Sequence, residues 1–130
     1  MNAAILLAAG RGSRMRKCVD DKILYEVGGC TLFAKSLLAF REAAVANLWI
    51  VTYRDQSQKE LLESEASKMA PEGVKVILVK GGEERHHSVQ NALAKITPEI
   101  QIVFVHDCAR PMIRAKSLVK LLSLAIETGG

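Results

Sequence analysis

Long apolar runs, paired cysteines and aromatic residues are all scarce in this 130-residue chain, and each shortage excludes a class of protein. No apolar run approaches the ~18 residues of a membrane helix and no basic leader opens the chain, so neither a span nor a signal peptide is expected. Cysteine occurs only at Cys18, Cys30 and Cys108, an odd number without the paired spacing of a metal site. That usage suits a reducing compartment, and a cytoplasmic location is expected. The formal charge is +4, which raises nucleic acid as a partner. Aromatics make up only 5% of the chain and are not interleaved with the basic residues, so a small polyanion is expected instead.

What is present is an ordinary globular composition, 49% apolar and 25% charged, enough for one domain with a real core. Its most distinctive stretch comes first. An apolar run over residues 3–7 reads as a buried strand and leads into Ala8-Ala9-Gly10-Arg11-Gly12-Ser13-Arg14-Met15. Two glycines one residue apart let the backbone approach a ligand closely, so that successive N–H groups converge on an anion. Arg11, Arg14, Arg16, Lys17 and Lys22 crowd the same segment, against only Asp20 and Asp21. A glycine loop ringed with cations suits phosphates. It matches neither of two familiar phosphate loops, since a dinucleotide fingerprint needs glycine where Met15 stands and a P-loop needs Gly-Lys-Ser/Thr. The bland alternative is a surface turn with solvated charges.

Residues 23–27 form a short extended piece ended by Gly28 and Gly29. Thr31 is placed to cap a helix running to about Ala44, with Phe33, Leu37, Phe40 and Ala44 along one face. Residues 48–51 are a second strand. Asp55 with Gln58 three residues on has the form of a capping box, opening a helix to about Met69 that Pro71 and Gly73 end. A third strand over 74–79 leads into a second glycine loop, Lys80-Gly81-Gly82-Glu83-Glu84-Arg85. This loop feeds a helix with Val89, Ala92, Leu93 and Ile96 at helical spacing. A fourth strand over 102–105 precedes His106-Asp107-Cys108-Ala109-Arg110-Pro111. The last helix starts at about Lys116 and is expected to bury Leu118, Leu121, Leu122 and Ala125.

Strand and helix alternate throughout, which predicts an α/β fold: a mostly parallel sheet with helices on both faces. Strand-to-helix loops then lie on the carboxyl edge of the sheet. The loops at 8–22, 80–88 and 106–111 therefore converge on one edge, where open α/β sheets bind ligands. Gly129-Gly130 after a helix reads as a cap, usually followed by another strand, so the residues leave open whether the 1–130 domain is part of a longer fold.

Three motifs in order make the pattern specific. They are Ala8-Ala9-Gly10-x-Gly12-x-Arg14-Met15 with Lys22; Gly81-Gly82-x-x-Arg85-x-x-Ser88-Val89-x-Asn91-Ala92-Leu93; and Val105-His106-Asp107-x-Ala109-Arg110-Pro111. Together they resemble the 2-C-methyl-D-erythritol 4-phosphate cytidylyltransferase family of the non-mevalonate isoprenoid pathway. The resemblance implies a Rossmann-like nucleotidyltransferase fold, CTP as substrate, Mg²⁺ as cofactor and a homodimer. It also implies transfer of the cytidylyl group to 2-C-methyl-D-erythritol 4-phosphate with release of pyrophosphate.

In that family the loop matching Ala8, Ala9, Gly10, Arg11 and Gly12 wraps the triphosphate, and the residues matching Arg14 and Lys22 stabilise the pentacoordinate phosphorus. Gly81, Gly82 and Ser88 match the positions that read cytosine, with Glu83 and Arg85 in the same loop. Asp107 matches the aspartate beside ribose, phosphates and metal, with Cys108 and Arg110 completing the nucleotide-contacting set. Two departures stand out: Asp21 replaces a common proline, and Glu83 replaces an aspartate. The acceptor-holding residues of the family lie beyond Gly130. Ribitol 5-phosphate cytidylyltransferases share these motifs. The other readings are a nucleotidyltransferase for another base and a catalytically inactive nucleotide-binding module.

Elementary chemistry agrees with nucleotidyl transfer, which is mostly positioning plus neutralisation of charge on phosphoryl oxygens. Arg14 offers a planar fork and Lys22 a mobile point charge. A phosphate nucleophile, with a second pKa of about 6, needs no dedicated general base. Accordingly His86, His87 and His106 form no convincing triad with Ser88 or Cys108, and no nucleophile elbow is present. Each residue also has a structural reading. Asp107 can bond the loop backbone, Arg85 and Arg110 can tie loops together, and Ser88 can simply open a helix. Cys108 has the character of a small packed residue, and His86 and His87 of surface residues.

Overall fold

A computed structural model describes residues 1–8, 26–27, 30–82, 85–108 and 115–128. Four parallel strands make the main sheet: β1 (Asn2–Leu7), β4 (Leu48–Tyr53), β5 (Lys75–Lys80) and β6 (Ile102–Asp107), in the order β5-β4-β1-β6. β2 (Glu26–Val27) and β3 (Cys30–Thr31) pair antiparallel as a separate small ribbon. The helices are α1 (Leu32–Ala43), α2 (Gln56–Met69), α3 (Arg85–Leu93) and α4 (Ala115–Thr128).

The period of two along the strands divides the core in two. Ala4 and Leu6 of β1 and Trp49 and Val51 of β4 share one cluster with Phe33, Leu37 and Phe40 of α1, Leu62 and Ala66 of α2, and Leu118 of α4. Ile5 and Leu7 face the other way with Ile50 and Val79, against Ala92 and Val89 of α3. Both faces of the sheet are thus covered, as strand-helix alternation predicted. Phe40 and Phe104 meet edge to face, their ring centroids 6.1 Å apart.

α1 begins at Leu32, directly after Thr31, which also pairs with Glu26 in the ribbon. Three local expectations are corrected. Ala44 is exposed rather than on the buried face, because the chain leaves α1 there with φ 51°, in the left-handed region. α3 ends at Leu93, and Ile96 reaches the core from a turn beyond it, while Leu93 itself is exposed. On α4, Leu118 is buried and Leu122 and Ala125 are half-buried, but Leu121 is 51% exposed. β6 is a sheet edge, and with no further layer beside it among the described residues, Leu121, Leu124 and Ala125 line an open groove of about 340 Å³ with residues of β6.

Candidate functional site at the carboxyl edge of the sheet

The parallel register brings the strand ends level. Leu7 of β1 stands beside Thr52 of β4 on one side and Asp107 of β6 on the other, and Thr52 stands beside Val79 of β5. Strand spacing of about 4.8 Å puts the outer two ends roughly 14 Å apart. Ala8, Gly81-Gly82 and Asp107 therefore emerge on the same edge, which is the convergence expected from the sequence.

Hydrogen bonds between strand ends hold that edge together. The Cys108 N–H donates to the Leu7 carbonyl at 3.1 Å, and the Gly81 N–H to the Tyr53 carbonyl at 2.8 Å. The Ala8 N–H donates to Thr52 Oγ1 at 3.1 Å, and Gln58 Nε2 donates to the Ala8 carbonyl at 2.9 Å. Both backbone groups of Ala8, the residue from which the first glycine loop departs, are thus held by side chains of the β4–α2 unit.

The second glycine loop is built against α3. The Gly82 N–H donates to Ser88 Oγ at 3.1 Å, so the Ser88 hydroxyl, itself buried, braces the turn from inside the helix. Asn91 Nδ2 donates to the Lys80 carbonyl at 3.0 Å, fixing the entry to the turn. A Cβ at Gly82 would lie 2.1 Å from Cβ of His87, so only glycine fits there. His86 and His87 are exposed, with ring centroids 4.1 Å apart.

At the end of β6 side chains alternate as the strand requires. His106 is buried and its Nε2 lies 3.0 Å from Ser36 Oγ of α1; Asp107 is half-buried; Cys108 is buried in the main core cluster. The Cys108 thiol is pushed well above the ordinary thiol range, first by burial and then by the charge of Asp107; a hydrogen bond with Ser36 offsets part of this. Its side chain packs in the core and its N–H is spent on Leu7, which matches the packing character read for it.

Of the sequence-predicted residues, Ala8, Gly81, Gly82, Ser88 and Asp107 are brought to this edge, and Arg85 is the first residue of α3. Ala9, Gly10, Arg11, Gly12, Arg14, Lys22, Glu83 and Arg110 lie outside the described residues. Among the described residues no three His, Cys, Asp or Glu side chains gather as a metal site. A half-buried carboxylate such as Asp107 fits Mg²⁺, which takes one or two carboxylates and fills its remaining positions with water and substrate phosphates. Thr52 and Gln58 were not anticipated as part of this edge. The only trace of Thr52 in the sequence is a hydroxyl interrupting an apolar strand, and Gln58 reads there as a helix-capping residue.

An open parallel α/β sheet with glycine loops at its carboxyl edge defines a nucleotide-binding class of fold. The family model for 2-C-methyl-D-erythritol 4-phosphate cytidylyltransferase matches residues 2–130, and the chain belongs to that family. The enzyme of that name from Geobacillus kaustophilus is 37% identical over 130 residues, covering 97% of this chain and 54% of the relative. The chain thus spans about half the length of the curated relatives it matches. Among solved structures, 4-diphosphocytidyl-2C-methyl-D-erythritol synthase from Anaerococcus prevotii superposes with a TM-score of 0.79 at 20% identity, covering 97% of this chain and 51% of that one. Rv0371c from Mycobacterium tuberculosis, solved in complex with manganese, superposes with a TM-score of 0.66 at 20% identity, covering 95% of this chain and 58% of that one.

Proposed function

We propose that residues 1–130 form the CTP-binding part of an enzyme that transfers the cytidylyl group of CTP to 2-C-methyl-D-erythritol 4-phosphate and releases pyrophosphate. The observation that carries this reading is the convergence of Ala8, the Gly81-Gly82 turn braced by Ser88, and Asp107 on one sheet edge in a chain of this family. The Gly81-Gly82 turn and Ser88 would take the base, and the loop that starts at Ala8 the triphosphate. An oxygen of the acceptor phosphate attacks the α-phosphorus, the new P–O bond forms, and the bond to pyrophosphate breaks. Arg14 and Lys22 would oppose the charge that grows on the phosphoryl oxygens. Asp107 would hold Mg²⁺, which supplies charge neutralisation on the phosphates when bound. The proposal includes small-molecule substrates, a cytoplasmic setting and a homodimer. No helix among the described residues is long and apolar enough to cross a membrane.

Calorimetry tests the reading on the 130-residue polypeptide. Binding of CTP with Mg²⁺ in clear preference to ATP with Mg²⁺ is the expected result, because a site shaped to hydrogen-bond one base edge leaves groups unpaired against another. Equal affinity for the two would overturn it.

A further inference from the structure

We propose that Gln58 is a positioning residue for the triphosphate loop, acting through the carbonyl of Ala8. The inference rests on the nucleotide-binding reading of that loop. Gln58 is 1% exposed, and an amide buried so completely is costly unless its donors and acceptor are used. They are used across two elements. Nε2 donates to the Ala8 carbonyl at 2.9 Å, and Oε1 accepts the N–H of Arg54, in the segment between β4 and α2.

Asp55 caps α2 by accepting the Gln58 N–H at 2.9 Å, and the Gln58 carboxamide does more than a local cap requires: it bridges Arg54 to a residue fifty positions earlier. On the opposite side Thr52 Oγ1 accepts the Ala8 N–H, and one residue back the Leu7 carbonyl accepts from Cys108. The point where the chain leaves the sheet is therefore clamped by β4, α2 and the end of β6. Loop N–H groups can serve a phosphate only if the loop starts from a fixed direction, since a donor displaced by an ångström no longer meets its oxygen. Glutamine at position 58 supplies the donor that sets this direction. Glutamate would keep an acceptor for Arg54 but place its charge against the Ala8 carbonyl.

The test compares wild type, Gln58→Glu and Thr52→Val in the 130-residue chain, measuring affinity for CTP·Mg²⁺ by calorimetry and for cytidine by NMR titration. Gln58→Glu should bind CTP·Mg²⁺ about tenfold more weakly, the loss of a hydrogen-bond-sized contribution, with cytidine affinity unchanged. Thr52→Val, which removes the acceptor for the Ala8 N–H, should show the same selective loss, and it decides the matter if Gln58→Glu fails to fold. Equal losses for both ligands would assign Gln58 a merely structural role and overturn the inference, as would unchanged affinity for both. A wild type that binds cytidine but gains nothing from the triphosphate would overturn the loop reading itself, and this inference with it.

Discussion

Ser36 Oγ lies 3.0 Å from His106 Nε2, with both groups out of solvent. One serine of α1 therefore holds the residue that precedes Asp107. Ser36→Ala should lower stability by about 1–2 kcal/mol, the cost of removing a buried hydrogen-bond partner. Urea denaturation measures it; an unchanged midpoint would mean that the hydroxyl holds nothing.

Two glycines should respond differently to alanine. Gly82→Ala forces Cβ into Cβ of His87, so the start of α3 must shift, at a cost of about 1–3 kcal/mol. CTP affinity should fall with it. Gly73 sits at φ +90° with nothing within 4 Å of a new Cβ, so Gly73→Ala should strain only the backbone, far from the site, and leave CTP affinity alone. Thermal melts paired with calorimetry separate the two cases; CTP affinity unchanged in Gly82→Ala would contradict the role given to that turn.

Ala44→Gly should raise stability by about 0.5–1 kcal/mol. An L-residue in the left-handed region carries a steric penalty of roughly 1–2 kcal/mol that glycine avoids, less the extra entropy glycine gains when unfolded. A lower melting temperature for the variant would contradict this.

Cys108 should react far more slowly with a thiol reagent in the native protein than after unfolding. Burial both blocks access and disfavours the thiolate that reacts. Peptide mapping after a short exposure, with and without denaturant, measures the difference, and equal labelling of Cys108 in both would show that the end of β6 opens readily.

In a chain of the length of its relatives, Arg14→Ala and Lys22→Ala should each lower kcat by about 10² or more while changing KM for CTP less, because charge neutralised only in the transition state acts on kcat. Arg14→Lys should recover little, since a point charge does not replace a planar fork. Steady-state assays of pyrophosphate release decide it, and normal kcat in both alanine variants would remove these residues from catalysis.

Much of this architecture is local in origin, which is why it is legible from residue order. Strand-helix alternation, the capping of α2 by Asp55, and the glycine turn after β5 depend on neighbours a few positions apart. The buried face of α1, with Phe33, Leu37 and Phe40, follows from helical spacing alone. The carboxyl-edge location of the loops follows from parallel strands joined by helices.

Tertiary structure decided the rest. That β1 lies between β4 and β6, and so sets Thr52 and Asp107 either side of Leu7, depends on crossovers that no local period encodes. Leu121 is exposed because an amphipathic pattern marks an apolar stripe without saying how much of it a sheet edge can cover. Gln58 shows the division most sharply. Its place three residues after Asp55 is a local signal, correctly read as the start of a helix. Its carboxamide reaches Ala8 only because folding removes it from water and brings the end of β1 beside it.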